Sequence, residues 1–337
     1  MQALTSAPPV TRHITASGSR IYTLTLEAFP HFTVNAFLVV VGRPENPTYT
    51  ALVDTGSSLP PSTDGLLAGL AEVRVRWEEA LTWERLSRVV VTHAHPDHLA
   101  GLPFVRSLTS APIAAHGLDV AAVAHPEAAR DAALQKVEAT LAWAGIGGEY
   151  AERLRRRAGH LTLPQGVSID TPLSGGERLD GHFLVVHTPG HAPGQVCLQL
   201  DDVLLSADHL LPQNSPPLMP ERAQAHCGLA VYLSSLARIE ALHGVTVALG
   251  GHGGPMSDWR GRVRQLRERY DRKLEAVVAA AALPLTVQDL TLTLYPNLRR
   301  EQALLLLDQT GALVEYLVQT GRLGERNAGP TSVFQRV

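Results

Sequence analysis

The sequence predicts an α/β fold in which β-strands alternate with helices. Short runs in the first third of the chain, such as 21–26 and 36–41, show the alternating or continuous apolar pattern of strands. Longer stretches, such as 117–160, are rich in Ala, Leu, Glu and Arg, which is typical of helices. Because the two patterns interleave along the chain, a layered domain is expected.

The predicted elements follow one another in a regular order. Strands are expected, in sequence, at 21–26, 36–41, 49–54, 88–91, 112–115, 183–187, 196–200, 203–206 and 245–249. Helical patterning covers 62–86 and 117–160, and the glycines at 145–148 predict that the second stretch forms two helices. Several predicted strands end at a polar residue, and strand ends are where a sheet presents its functional groups.

The last part of the chain has a different pattern, which is helical after about residue 257. One amphipathic helix is predicted at 259–283, and shorter helical segments follow at 286–292, 298–310 and 312–320, before a polar tail. We therefore divide the chain into a main domain, 1–257, and a small helical module, 258–337.

The composition excludes several classes of protein. Of the 337 residues, 45% are hydrophobic and 18% are charged, as is usual for a globular chain. The net charge of −3 gives no overall attraction to nucleic acid or acidic membranes. Two cysteines are too few for a disulfide framework, and neither a signal peptide nor a membrane span is evident, so a cytoplasmic protein is expected.

Residues 92–98, Thr-His-Ala-His-Pro-Asp-His, predict a metal site. Four ligand-type side chains lie within six positions directly after an apolar strand: His93, His95, Asp97 and His98. Neutral imidazole nitrogens and an anionic carboxylate are ligands for a borderline transition metal. Since the whole chain has 15 histidines, this local density is not expected by chance.

Four further residues extend the ligand set, each at or just after a predicted strand: Asp54, His191, Asp208 and His252. The two histidines stand in glycine-rich turns, which permit a close approach of the backbone. Separately each residue is a weak signal. Taken together and in order with the 92–98 motif, the four residues are a strong signal of a metal site.

In this order the residues resemble the metallo-β-lactamase superfamily, over roughly residues 20–255. The resemblance implies an αββα sandwich with the site at one edge of two packed sheets. It implies that one metal is held by His93, His95 and His191, that a second is held by Asp97, His98 and His252, and that Asp208 bridges the two. Asp54 matches a carboxylate that orients a ligand imidazole through its other ring nitrogen.

The resemblance also implies a hydrolytic reaction. Two divalent metal ions about 3.5–4 Å apart would share a hydroxide that attacks a carbonyl or phosphoryl centre. Asp97 would orient this nucleophile and carry a proton to the leaving group. Zinc is the default metal for such nitrogen and oxygen ligands, with iron or manganese as alternatives.

Three local sequences, at 95–98, 207–212 and 251–255, resemble bacterial hydrolases with a C-terminal winged-helix-like module. The same architecture occurs in a lactamase-like ribonuclease of mitochondria, although this sequence leaves little room for a wing. Residues 258–337 carry 12 Lys and Arg against 9 Asp and Glu. Because this surplus is small, a solvated helix face or a homodimer contact is favoured over nucleic-acid binding.

The helical insertion at about 117–163 is predicted to cover the metal site as a lid. Core packing is favoured over pocket lining for Trp143, Ile146 and Tyr150, whereas His116 and His226 are the pocket candidates. An apolar lid favours a small-molecule substrate, and the leading hypothesis is a thioester, ester or lactone. A metal-dependent ribonuclease or phosphodiesterase is the alternative, and a binding protein with a vestigial metal core is a third hypothesis.

Overall fold

Two β-sheets lie face to face between helices in the computed structural model, which describes residues 10–159, 164–299, 302 and 306–337. The first sheet has the strand order β1 to β7, with bounds Thr11–Ile14, Arg20–Phe29, Phe32–Arg43, Asn46–Val53, Arg88–Val90, Ile113–His116 and Thr171–Leu173. The second has the order β12-β11-β10-β9-β8, where β8 to β12 are Arg178–Leu179, Phe183–His187, Val196–Leu200, Val203–Ala207 and Val247–Gly250.

The helices lie before, between and after these strands. Helices α1 to α6 are Pro60–Arg76, Pro96–Leu99, Leu102–Leu108, Gly117–Ala124, Pro126–Ala144 and Gly148–Gly159. Helices α7 to α10 are Leu229–Glu240, Trp259–Ala280, Val287–Leu294 and Leu307–Gln319. A two-stranded hairpin, β13 (Leu323–Ala328) and β14 (Thr331–Arg336), follows α10.

The apolar side chains form three clusters that define the layers. Side chains of both sheets, such as Phe37 and Phe183, meet in the central cluster. The outer face of the first sheet packs on α1, for example through Leu24 and Leu66. The outer face of the second sheet packs on α7 and α8. This arrangement confirms the predicted αββα sandwich.

The strand directions bring the site residues to one edge of the sandwich. Strands β4 and β5 are parallel, so Asp54 and Thr92 follow neighbouring strand ends. In the second sheet β11 and β12 are parallel, and β9 runs the same way because β9 and β11 are both antiparallel to β10. The loops after these three strands carry His191, Asp208 and His252.

The observed helices differ from the predicted ones at proline and glycine positions. The 62–86 stretch is an α-helix only to Arg76, followed by a 3₁₀ turn at Trp83–Arg85. The described part of 117–160 forms three helices rather than two, because Pro126 starts a new helix in its first turn. The predicted glycine break is present, since Gly145 ends α5 in the left-handed conformation with φ of 71°. Residues 160–163 of the predicted lid lie outside the described residues.

The C-terminal tail corrects the sequence analysis most. A polar tail with little room for a wing was expected, whereas β13 and β14 form a hairpin. Its turn contains Gly329 at φ 72°, and Phe334 on β14 is buried. Helix α10 runs without a break through 310–312, where two segments had been expected. The earlier segment, 298–310, falls partly on residues outside the described ones.

The insertion packs against this C-terminal hairpin. The ring centroids of Trp143 and Phe334 are 5.6 Å apart, and the Trp143 indole donates a hydrogen bond to Glu325 at 3.0 Å. Trp143 and Ile146 are buried in a cluster shared with α8 and α10, and Tyr150 packs against it. These three side chains therefore pack in the core, which is the role that the sequence favoured over pocket lining. Because this cluster extends to both sides of residue 257, the division into 1–257 and 258–337 stays a prediction.

The described helices also bear on membrane association. None of them combines the length and the apolar composition that a membrane crossing requires.

Replacing Phe334 by Ala should destabilise the protein strongly, because the ring is buried between the insertion and the module. We expect the free energy of unfolding to fall by about 3–5 kcal/mol, measured by urea denaturation. The matched control is Leu283→Ala, since Leu283 is 71% exposed, and it should change the value by less than about 0.5 kcal/mol. Equal stabilities of the two variants would contradict the packing described.

Candidate metal centre

The 92–98 motif places its side chains with a loop and one short helix. After β5, residues 92–95 form a loop whose last member, His95, caps α2. Pro96 occupies the first turn of α2, where its missing N–H leaves no donor unpaired. Asp97 and His98 therefore come from the helix, whereas His93 and His95 come from the loop.

The structure brings together all seven residues predicted as metal ligands. Their ligand atoms form three overlapping groups in which every pair lies within 4.8 Å: His93, His95 and His191; His93, His98 and Asp208; Asp97, His98 and His252. The first group matches one predicted metal site and the third matches the other. The second group joins them through Asp208.

Asp208 lies at the centre of this arrangement. Its carboxylate oxygens are 3.2 Å from His252 Nε2, 3.4 Å from His98 Nε2 and 3.7 Å from His191 Nε2. Asp97 lies on the other side of His252, with its Oδ2 3.4 Å from the same Nε2 atom. Asp208 can therefore reach both groups at once, as a bridging carboxylate must.

Hydrogen bonds behind the rings fix the orientation of three imidazoles. Nδ1 of His191 donates to Pro217 O at 2.8 Å, and Nδ1 of His252 donates to Thr33 O at 2.6 Å. Nδ1 of His98 donates to Asp54 Oδ2 at 2.8 Å. Because each Nδ1 carries the proton, the Nε2 lone pair of each ring points into the cluster, as metal coordination requires.

Asp54 contacts the start of the motif, at Thr92, in addition to the ring of His98. The Thr92 backbone amide and hydroxyl donate to the Asp54 carboxylate at 2.8 and 2.9 Å. Nδ1 of His93 lies 3.1 Å from the same hydroxyl, so this ring is connected to Asp54 through Thr92. Asp54 is fully buried and holds the left-handed φ of 62°, a conformation that is uncommon outside glycine.

The donor set fits divalent metal ions. His98 Nε2, His191 Nε2 and Asp208 Oδ1 are buried without a hydrogen-bond partner. Buried polar atoms are rarely left unpaired, and these face one another as acceptors with no donor between them. A cation held by nitrogen and oxygen ligands would satisfy all three.

The protonation tendencies of the cluster lead to the same conclusion. Burial holds the pKa of His93 well below its usual value and lowers that of His95 to about 3, so these rings stay neutral, as ligands must. Burial also lowers the pKa of His98, but the carboxylates of Asp208 and Asp54 outweigh it and raise that pKa well above the usual value. The carboxylates therefore favour a positive charge at the His98 ring. A metal ion bound to Nε2 would supply this charge in place of the proton.

The two pocket candidates lie outside this cluster. His116 is buried, with its ring stacked on His187 at a centroid distance of 3.8 Å, and its Nε2 donates to Ser174 O at 3.3 Å. His226 is exposed and takes a left-handed φ of 65°. Neither residue belongs to a group of potential ligands found among the described residues.

Sequence reasoning missed three residues beside the centre. Asn35 donates from its side chain to Gly250 O at 3.0 Å and Gly253 O at 2.9 Å, which fixes the His252 loop. Its signal was an amide inside the apolar run of β3. Phe32, whose ring lies 4.9 Å from His252, and the buried Asp119 had no such signal, because nothing in the neighbouring sequence marks either residue as lying beside the ligands.

Replacing Asp54 by Asn should weaken metal binding, because the amide replaces one charged acceptor behind His98. We expect a loss of about 10- to 100-fold in zinc affinity, measured by competition with a chromophoric chelator. Asp64→Asn, at an exposed position on α1, is the control and should bind zinc like the native chain. Unchanged affinity in Asp54→Asn would mean that the contact does not orient a ligand.

Comparison with known proteins agrees with this geometry. A profile described as the metallo-beta-lactamase superfamily matches residues 30–269. A metallo-beta-lactamase family protein from Thermus thermophilus is 29% identical, with a TM-score of 0.70 over 94% of this chain and 98% of that one. A beta-lactamase domain protein from Burkholderia ambifaria is 22% identical, with a TM-score of 0.73 over 100% of this chain and 96% of that one, and shares the fold.

The search of curated proteins gave no match. The superfamily profile, however, covers well over half of the chain and includes every residue of the cluster around Asp208. The protein therefore belongs to the metallo-beta-lactamase superfamily, whose members are metal-dependent hydrolases.

Proposed function

We propose that the protein is a dinuclear metallohydrolase that cleaves a small thioester, ester or lactone. The observation that carries the dinuclear part is the position of Asp208, which contacts imidazoles of both predicted metal sites. Zinc is the metal we expect from the nitrogen-rich ligand set, with iron or manganese as alternatives. When bound, the two ions lower the pKa of water to about 7 and stabilise negative charge on a carbonyl oxygen.

Asp97 is the residue that we propose for proton transfer. Its side chain is 12% exposed, whereas the ring of His98 is fully buried, so it is the more accessible of the two side chains from α2. Burial raises the pKa of Asp97, but the neighbouring imidazoles of His252 and His98 outweigh it and hold the pKa below its ordinary value. Asp97 is therefore an anion near neutral pH, able to accept a proton and pass it to a leaving group.

An apolar surface beside the centre supports an acyl substrate. Phe32 is 46% exposed although its ring lies 4.9 Å from the His252 ring. Phe29 stacks on Phe32 at 6.2 Å and is 37% exposed. An acyl group that covered these rings would gain about 25 cal/mol for each Å² of apolar surface removed from water.

Three of the basic residues of α8 are engaged within the protein, which does not favour a polynucleotide substrate. Arg262 donates to Leu211 O at 2.8 Å and to Asn214 O at 2.9 Å, and Arg260 donates to Leu242 O at 2.8 Å. Arg267 forms an ion pair with Glu240 at 2.7 Å. These side chains hold neighbouring loops and helices, whereas phosphate binding requires cations directed to solvent.

We further propose that the last part of the chain is a winged-helix-like module in a cytoplasmic protein. Helices α9 and α10 followed by the hairpin β13–β14 support the first proposal. Two buried free cysteines, Cys197 and Cys227, support a reducing compartment. A contact between two copies remains the role that we expect for the exposed face of α8.

A panel of substrates tests the proposed reaction. We expect the zinc-loaded protein to hydrolyse acyl thioesters, esters or lactones and to leave labelled RNA and phosphodiesters intact. Asp97→Asn should lower kcat by about 100-fold or more, with zinc content measured in parallel because Asp97 is also a predicted ligand. Cleavage of RNA alone, abolished by His93→Ala, would show that the proposed substrate class is wrong.

Chain-length dependence tests the apolar surface. Replacing Phe32 by Ala should raise KM for an octanoyl thioester by about 5- to 30-fold and leave that for an acetyl thioester nearly unchanged, since only the longer chain reaches the ring. Val75→Ala, at a position 82% exposed on α1, is the matched control and should alter neither value. Equal effects on both substrates would exclude acyl-chain binding at Phe32.

A further inference from the structure

The turn at 116–119 lies against the loop that carries His191. The rings of His116 and His187 are stacked at 3.8 Å with an interplanar angle of 16°. His116 also caps α4, because its Nδ1 accepts a hydrogen bond from the Leu118 amide at 3.2 Å. His187 begins the loop 187–195 and donates from Nε2 to Pro193 O at 2.8 Å. The start of the insertion and the His191 loop are thus packed side by side.

Asp119 makes a second and closer contact between the same segments. The residue is 4% exposed, and its carboxylate lies so near Gly194 that a Cβ atom at that position would overlap it. The backbone amides of Ala94 and Gly194 lie near enough to favour the charged form of this carboxylate, although its buried Oδ2 has no hydrogen-bond partner. Ala94 stands between His93 and His95, and Gly194 is three positions after His191. One side chain of the insertion therefore contacts both loops of the three-histidine group.

Helix capping does not explain why this carboxylate is buried. An acidic residue in the first turn of a helix is favourable, but an exposed one gives the same benefit at no cost in solvation. Burial raises the pKa of Asp119 to about 7, so the position disfavours the charged group that occupies it. The two loop amides offset only part of this cost, because Oδ2 is left without a hydrogen-bond partner. The same two loops carry His191 and the other two histidines, so the side chain lies where it can influence the spacing of the three rings.

We propose that Asp119 is a positioning residue for the metal site formed by His93, His95 and His191, and that it couples the helical insertion to occupancy of this site. The carboxylate acts through the backbone of Ala94 and Gly194 rather than by coordination. A metal ion held by these three histidines would keep the two loops, and with them their common contact on α4, in place. This inference rests on the metal centre of the proposed function but not on the acyl substrate.

Zinc affinity in a His252→Ala background tests the positioning role, because only the three-histidine site is then complete. We expect Asp119→Ala to weaken zinc binding by about 10- to 100-fold and Asp119→Asn, which keeps one acceptor oxygen, to weaken it less. The cobalt-substituted protein should show an altered visible absorption spectrum in Asp119→Ala. Asp131→Asn, at an exposed position on α5 of the same insertion, is the matched control and should change neither property.

A second variant tests the contact from the other side. Gly194→Ala places a methyl group where the carboxylate lies and should weaken zinc binding to a similar extent, although its backbone φ is one that alanine adopts. Because both substitutions break the same contact, the double variant Asp119→Ala/Gly194→Ala should bind zinc no more weakly than either single variant. Additive losses would show that the two residues act separately and would overturn the proposal.

Limited trypsin digestion tests the coupling to the insertion. Zinc should protect the arginine-rich helix α6 from cleavage in the native chain and should fail to protect it in Asp119→Ala. Native zinc affinity in Asp119→Ala would overturn the positioning role. A loss of affinity matched by a lower urea midpoint of the metal-free variant would identify a general folding role instead. Absence of acyl hydrolysis in the native chain would count against the proposed substrate and leave these results unaffected.

Discussion

The close approach of three imidazoles, those of His98, His191 and His252, to the Asp208 carboxylate is the interaction on which the rest of the site depends. The nitrogens come from three separate segments, at 96–99, 191 and 252, and lie 3.2 to 3.7 Å from the Asp208 oxygens. A buried cluster of this kind is costly unless a cation joins it. Each ring is therefore held by a hydrogen bond from behind, and the acceptors belong to the first sheet, at Thr33 and Asp54, and to the 211–217 loop.

Two positions of strained backbone adjoin the ligands. Asp54 and Ala207 both have positive φ, 62° and 46°, and each is next to or in contact with a ligand. Such conformations cost about 1–2 kcal/mol outside glycine. At Ala207 the pairing of β11 with β12 shifts register, and the Gly251 amide donates to Ala207 O at 2.8 Å. The shift turns Asp208 inward and brings it beside the His252 loop, so this hydrogen bond offsets part of the strain.

The ligands and the layered core could be predicted from the sequence, because each is marked by a local pattern. The four ligand-type residues from His93 to His98 stand out within six positions, and the strand before them is a continuous apolar run. Asn35 and Asp119 act on partners that are distant in sequence, such as Gly250, 215 residues after Asn35. The terminal hairpin could not be predicted because its buried side, at Phe334, gains stability from packing on Trp143 of the insertion and from pairing with Leu285, both far from it in sequence. Tertiary partners, rather than propensity, decide these features.

Helix α8 supports the candidate metal centre through a loop that it holds in place. Arg262 of α8 holds Leu211 O and Asn214 O, at the start of the loop whose Pro217 O accepts the hydrogen bond of His191. The 211–217 segment therefore connects α8 to the imidazole of His191, which is a predicted ligand. Phe32, the residue proposed to bind an acyl group, lies on β3 against His252, away from α8 in sequence. The contacts of α8 and the proposed apolar surface therefore involve different segments of the chain, so a change at Phe32 would leave the contacts of Arg262 in place. On this argument the ligand motif specifies the reaction rather than its target.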